Sequence, residues 1–270
     1  MDYKNFLLQK QKTHVLSGFD IDQSELNPNL FPFQKFCVQR ALKAGKYALF
    51  EDCGLGKTFQ QLEWANQVVK YTNKPVLILS PLAVVGQTLQ ESVKWGVVSY
   101  NYSDFSKCTH TFESNSPDTI FITNYEQLEN IDTSVFSGIV LDESSILKNF
   151  EGATKNLIIE KFANTPYKLA CTATPSPNDP MELGNHAEFL DVMSRNEMLA
   201  MYFVHDGGET AKWRLKGHAT KLFYQFVGSW AIMLNNPGDI GFQMNGYDLP
   251  RLNLLEKQIK TPKSDNSIIE

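Results

Sequence analysis

Cysteine is scarce, with four in 270 residues, and Cys37, Cys53, Cys108 and Cys171 form no Cys-x-x-Cys pair and have no convincing histidine partner. That spacing offers neither a disulfide framework nor a zinc site, and the four read as reduced thiols in the core or beside a site. Long apolar runs are missing as well. No stretch approaches the roughly 20 residues that a spanning helix needs, and the start from Asp2 to Lys12 lacks the apolar core of a signal peptide. The expectation is a cytoplasmic chain with no membrane partner. A basic excess is the third absence, the net charge being −5. Proteins that neutralise many phosphates usually show a basic face, so any grip on nucleic acid has to come from a local patch. The best candidate is Lys212-Trp-Arg-Leu-Lys216 with His218 and Lys221, where basic and aromatic residues interleave. The same residues also read as a solvated helix or loop anchored by its tryptophan. No internal repeat is visible.

What is present is an ordinary folding composition, 42% hydrophobic and 12% aromatic, which excludes wholesale disorder and supports one or two cores. Apolar runs at Tyr47 to Phe50, Pro75 to Ser80, Thr119 to Thr123, Gly138 to Leu141 and Tyr167 to Cys171 alternate with helical patterns. That rhythm predicts an α/β fold with a parallel sheet covered on both faces. Right-handed crossovers would bring the loops after these strands together at their carboxyl ends. Gly45 is placed to end the helix that carries Gln34, and Asn178-Asp-Pro180 followed by Glu182 reads as a helix start.

The most informative of those loops is Glu51-Asp-Cys-Gly-Leu-Gly-Lys-Thr58, set directly behind the first apolar run. A triphosphate needs converging backbone N–H groups, a mobile cation and a hydroxyl for Mg²⁺. Gly54, Leu55 and Gly56 would give the backbone approach, Lys57 would reach the β- and γ-phosphates, and Thr58 would ligate Mg²⁺. A helix starting near Lys57 would point its positive end at them. A strict phosphate-loop pattern has glycine where Glu51 stands. The second element is Gly138-Ile-Val-Leu141 followed by Asp142-Glu-Ser-Ser145. Asp142 would hold the metal through its water shell and Glu143 would polarise the attacking water. A helix-capping pair of carboxylates is the alternative.

With these residues the chain resembles the superfamily 2 helicases and translocases of DEAD/DEAH type, in the branch related to chromatin remodellers and common in phage genomes. Phe31-Pro-Phe-Gln34 resembles the glutamine motif and Glu51 to Thr58 motif I in its remodeller-like form, which tolerates a first residue other than glycine. Pro81 to Thr88 is similar to motif Ia, Thr123 to Glu126 to motif Ib, Asp142 to Ser145 to motif II, and Thr172-Ala-Thr-Pro175 to motif III. The resemblance covers most of the chain and implies a RecA-like lobe that uses ATP and Mg²⁺ to move on nucleic acid, double-stranded DNA in particular. Residue by residue it implies that Gln34 contacts adenine, and that Thr172 and Thr174 couple nucleotide state to grip. Pro81, Gln87, Asn124 and Tyr125 would lie along the nucleic-acid backbone. Read without the family, Gln34 is a helix-surface residue, Asn124 a helix cap, and Thr172 and Thr174 loop hydroxyls.

The expected organisation is a first RecA-like, ATP-binding lobe over 1–192, a helical insertion or linker subregion over 193–250, and the start of a linker over 251–270. In that subregion Met198 to His205 and Ala219 to Leu234 read as aromatic-rich helical segments, with Phe223, Phe226 and Trp230 as core. Residues 101–118 read as a polar loop or insertion. Nothing after Arg251 supplies another α/β unit or an arginine finger, so a second lobe is expected in cis or in trans, and the lobe alone should hydrolyse ATP poorly. The rival readings are a small-molecule P-loop NTPase or kinase, which has no reason to carry motifs Ia, Ib and III, and a non-catalytic nucleic-acid-binding module.

Overall fold

The computed structural model describes residues 15–104, 119–148, 152–176, 179–205, 213–243, 246–247 and 253–257. Its strands are β1 (Lys46–Glu51), β2 (Val76–Ser80), β3 (Ser99–Asn101), β4 (Ile120–Asn124), β5 (Gly138–Asp142), β6 (Tyr167–Thr172), β7 (Phe203–His205), β8 (Trp213–Leu215) and β9 (Ala231–Leu234). All five apolar runs picked out in the sequence are among them. Seven strands form one sheet in the order β3-β4-β2-β5-β6-β1-β9, and every neighbouring pair is parallel.

Alternation along the strands sorts side chains between two cores. From β1, Tyr47 and Leu49 enter one core, while Ala48 and Phe50 enter the other. Helices α1 (Pro32–Ala44), α2 (Lys57–Thr72) and α3 (Leu82–Lys94) close the first face with residues such as Cys37, Leu62 and Val85. Helices α4 (Ala153–Lys161), α5 (Leu183–Phe189), α6 (Arg195–Tyr202) and α7 (Thr220–Trp230) close the second with Ile158, Phe189, Met198 and Trp230. A sheet covered on both faces needs near-continuous apolar strands, which is the pattern the sequence shows.

Local signals fix the ends of these helices. Pro32 opens α1 and Gly45 closes it at φ +77°, returning its N–H to the Ala41 carbonyl at 3.0 Å. Asp179 caps the short 3₁₀ turn Pro180–Glu182 by accepting from the Met181 N–H at 2.9 Å, and α5 follows at once. Asn178 lies outside the described residues, as do 105–118 of the polar loop, Lys212 of the basic stretch and residues 248–252.

Two helical expectations are corrected. The segment Met198 to His205 stops being helical at Tyr202, and Phe203–His205 turns into β7, which pairs antiparallel with β8. Trp213 of the basic stretch therefore sits on a strand, its ring centroid 3.7 Å from that of His205. The segment Ala219 to Leu234 is helical only to Trp230; its last four residues are β9, in register with Ala48 to Glu51 of β1. A short apolar run with no alternation reads equally as the end of a buried helix. The open edge of β1 is what selects the strand. Phe223, Phe226 and Trp230 are buried, as the sequence predicts.

Candidate functional site

The carboxyl ends of the adjacent strands β5, β6 and β1 carry Asp142, Thr172 and the loop of residues 52–56. The Asp52 N–H donates to the Leu234 carbonyl of β9 at 2.8 Å, which ties down the start of this loop. The Asp52 carboxylate accepts from the Cys53 N–H at 2.7 Å. Gly54 (φ +86°) and Gly56 (φ +79°) occupy the left-handed region, where side chains are strained. At Gly56 a Cβ would also lie 2.4 Å from the Gln34 Nε2, so the loop and α1 meet there with room for a hydrogen atom alone.

Helix α2 starts at Lys57; the Phe59 N–H returns to the Gly56 carbonyl at 3.1 Å, which leaves the N–H groups of Lys57 and Thr58 as the helix-start donors of the kind that attract anions. The Lys57 ammonium curls back into the loop, donating to the Glu51 carbonyl at 2.7 Å and the Asp52 carbonyl at 2.9 Å. Both acceptors are main-chain carbonyls, so the cation is held against the start of the loop. Gln34 braces the loop from outside: its Nε2 donates to the Leu55 carbonyl at 2.9 Å while its Oε1 accepts from the Phe31 N–H at 2.9 Å. Its side chain is buried, so it is not a helix-surface residue.

The carboxylates sit opposite. Asp142 accepts from the Gln61 amide on Oδ1 at 2.9 Å and from the Ser80 hydroxyl on Oδ2 at 3.3 Å. Burial raises its pKa, and those two donors oppose the rise. Glu143 has φ +55°, an uncommon backbone state for a residue with a side chain. The turn aims its carboxylate at Thr172, whose hydroxyl donates to Glu143 Oε1 at 2.7 Å. Thr172 Oγ1 in turn accepts from the Thr174 N–H at 3.0 Å, and Lys148 Nζ donates to the Thr174 hydroxyl at 3.1 Å. Motifs II and III are thus bonded directly to each other.

Other expected residues fall around this centre. Thr58 is half-buried in the first turn of α2, while Pro81 precedes α3 and Gln87 is exposed on it. Asn124 caps a 3₁₀ turn, accepting from the Gln127 N–H at 3.1 Å, which is the capping role open to it in the sequence. Tyr125, expected along a nucleic-acid backbone, is buried instead, and its hydroxyl donates to the Asp142 carbonyl at 2.7 Å. A phenol has to satisfy its O–H when buried, and here it braces the main chain of Asp142.

Several residues of the site escaped the sequence reading. Glu51 points inward, fully buried, with Oε2 accepting from the Gln60 amide at 2.6 Å. Burial drives its carboxyl up to about 7, against the pull of that hydrogen bond and of Lys57. Ser144 and the buried His186 of α5 lie 3.1 Å apart, and burial pushes the imidazole down to about 4, keeping it neutral. Asn185 beside it donates to the Leu147 carbonyl at 2.6 Å, so α5 holds the turn that follows Glu143. The available signal was Gln60 and Gln61, two adjacent amides one turn after Lys57 on a helix that also buries Glu63 and Gln67.

Comparison with known proteins places residues 34–200 on the profile of the SNF2-related domain. A SWI/SNF-related matrix-associated actin-dependent regulator of chromatin subfamily A-like protein 1 of Xenopus laevis is 28% identical over 166 residues, covering 59% of this chain and 17% of that protein. A protein named p41, of Acyrthosiphon pisum secondary endosymbiont phage 1, is 28% identical over 177 residues, covering 59% of this chain and 38% of its own. Among solved structures, the Sulfolobus solfataricus SWI2/SNF2 ATPase core in complex with dsDNA superposes with a TM-score of 0.64 at 21% identity, over 79% of this chain and 46% of that one. The core domain of the same protein gives 0.59 at 20% identity, over 84% and 48%. The chain therefore spans less than half the length of these relatives, and the two structures share its fold.

Proposed function

The chain belongs to the SNF2-related domain family, and from that premise we propose that it is the ATP-binding first lobe of a motor that hydrolyses ATP to move on double-stranded DNA. The observation that carries the reading is the convergence of Lys57, Asp142, Glu143 and Thr172 at the carboxyl ends of three adjacent strands, with Glu143 already bonded to the motif III hydroxyl.

In this reading the triphosphate takes the place of the two loop carbonyls as partner of Lys57, and the N–H groups of Lys57 and Thr58 donate to its oxygens. Gln34 uses one amide hydrogen and one lone pair within the protein. One of each remains, which matches the donor and acceptor edge of adenine. The Thr58 hydroxyl and the Asp142 carboxylate are hard oxygen donors suited to Mg²⁺, whose remaining positions phosphate and water complete. When bound, that ion supplies charge neutralisation on the transferring phosphate. Glu143, oriented by the Thr172 hydroxyl, accepts the proton of the attacking water.

Closure over the exposed loop falls to a second RecA-like lobe, in cis or in trans, reached through residues 251–270. An arginine finger from such a lobe is worth about 10³–10⁵ in rate in related NTPases. Pro81, the exposed Gln87 and Asn124 would meet the DNA backbone, and Thr172 and Thr174 would couple nucleotide state to that grip. The Sulfolobus neighbour held with dsDNA supports that partner. The cytoplasm, where ATP and DNA are both available, is the location this reading takes; among the described residues no helix is long and apolar enough to cross a membrane.

The test is ATPase turnover with and without duplex DNA, on this chain, on Lys57→Ala, and on a form extended by a second lobe. DNA stimulation confined to the extended, Lys57-intact protein supports the reading. Brisk hydrolysis by this chain alone, indifferent to DNA, overturns it in favour of a small-molecule P-loop enzyme.

A further inference from the structure

Gln61 is fully buried and lies three residues after Thr58 on α2, so the two share the helix face that looks onto the end of β5. Its Nε2 donates to Asp142 Oδ1 at 2.9 Å, while the Ser80 hydroxyl reaches Oδ2 at 3.3 Å. Its own Oε1 is enclosed and has no hydrogen-bond partner among the described residues. A buried amide that leaves its oxygen unsatisfied costs stability. It is tolerated here in a geometry that spends the donor on one carboxylate oxygen.

We infer that Gln61 is a positioning residue for the divalent cation of this site: it fixes the rotation of the Asp142 carboxylate, leaving the lone pairs that face Thr58 available to the ion's water shell. The inference rests on the nucleotide-site reading above and extends it to a residue outside the phosphate loop and the carboxylate motif. A carboxylate has about four lone-pair sites. Gln61 occupies one on Oδ1 and Ser80 one on Oδ2, and the Tyr125 hydroxyl holds the Asp142 main chain at 2.7 Å. The side chain therefore has a single orientation before any ion arrives, and binding does not have to supply the ordering. Without the amide, Asp142 is free to turn toward other donors, and the metal site loses its preorganisation while the phosphate loop stays intact.

The experiment is binding of a fluorescent ADP analogue to the full chain, titrated with Mg²⁺, for the parent protein, Gln61→Leu, Gln61→Glu and Ser80→Ala. Leucine fills the space without a donor; glutamate keeps the shape and replaces the donor with a second acceptor. Removing a hydrogen bond to a charged group is worth about tenfold in affinity. The half-saturating Mg²⁺ concentration of Gln61→Leu is therefore expected to rise by about that factor, with affinity in EDTA and thermal midpoint unchanged. Gln61→Glu should lose the same preorganisation, and Ser80→Ala should show a smaller shift.

An unchanged Mg²⁺ dependence in Gln61→Leu overturns the inference and leaves the nucleotide site standing. So does a parallel loss of affinity in EDTA and of thermal midpoint, which marks a merely structural residue. A parent chain that binds no nucleotide, with or without Mg²⁺, overturns the nucleotide-site reading and the inference together.

Discussion

Replacing Glu51 by glutamine should remove a pH dependence of stability that the fold builds into the base of its phosphate loop. The carboxyl is fully buried between the end of β1 and the first turn of α2, bonded to Gln60. Burial moves it from the ordinary value of 4.5 to about 7, with Gln60, Lys57 and Cys37 pulling the other way. A displacement of that size corresponds to about 3 kcal/mol between the protonation states. Between pH 4.5 and 7 the folded chain retains a proton that the unfolded chain has released, so the folded state binds more protons and stability falls as pH rises. Above about 7 both states are ionised and the loss levels off.

Glutamine keeps an acceptor for Gln60 once that amide is oriented to match, and it does not titrate. Urea unfolding of parent and Glu51→Gln at pH 5, 6, 7 and 8 should therefore show the parent losing about 2–3 kcal/mol relative to the variant across that range. His186, held neutral by burial, also makes stability depend on pH, in the opposite sense, since its charged form exists mainly in the unfolded chain. It is common to both proteins and drops out of the difference. A difference that stays flat within about 0.5 kcal/mol from pH 5 to pH 8 refutes the buried-carboxyl account.

Three further outcomes are expected. Gly56→Ala puts a Cβ 2.4 Å from Gln34 Nε2 at φ +79°, so nucleotide affinity should fall at least tenfold, with a stability cost of about 1–2 kcal/mol, measured by ADP binding and urea unfolding. Asp191→Ala removes the carboxylate that Lys46 and the buried Lys168 share at 2.7 Å each; because Asp191 is itself 37% exposed, the expected loss is roughly 1–3 kcal/mol in urea unfolding. In a Cys108→Ser background, maleimide should modify the exposed Cys53 and spare the buried Cys37 and Cys171; ATP should slow that reaction, and labelling that ignores ATP would place the nucleotide elsewhere.

The strands that carry the candidate site were legible because each is a short apolar run ending in a polar motif, and a parallel sheet sets all those ends on one side. Lys57, Asp142, Glu143 and Thr172 announce themselves by residue type and order. Residues that act through burial do not. Glu51 reads as a departure from the glycine of a strict loop, and only its enclosure beside Gln60 makes it an internal carboxyl. Tyr125 sits in a motif linked to nucleic acid, yet its ring is sequestered and its hydroxyl braces Asp142. Ala231 to Leu234 lacks the alternation that would mark a strand, and its partner, β1, lies far back in the chain.

The sequence by itself determined the family and the parallel α/β architecture, and it singled out the loop, carboxylates and hydroxyls of the candidate site, because backbone geometry and motif spacing are local properties. The tertiary structure decided how those groups are held. Gln61 on Asp142, Gln34 on the Leu55 carbonyl, Thr172 on Glu143 and α5 on the turn after it are contacts between segments distant in sequence. Their partners are chosen by packing, since a buried polar group has to find whichever donor or acceptor the fold brings within reach.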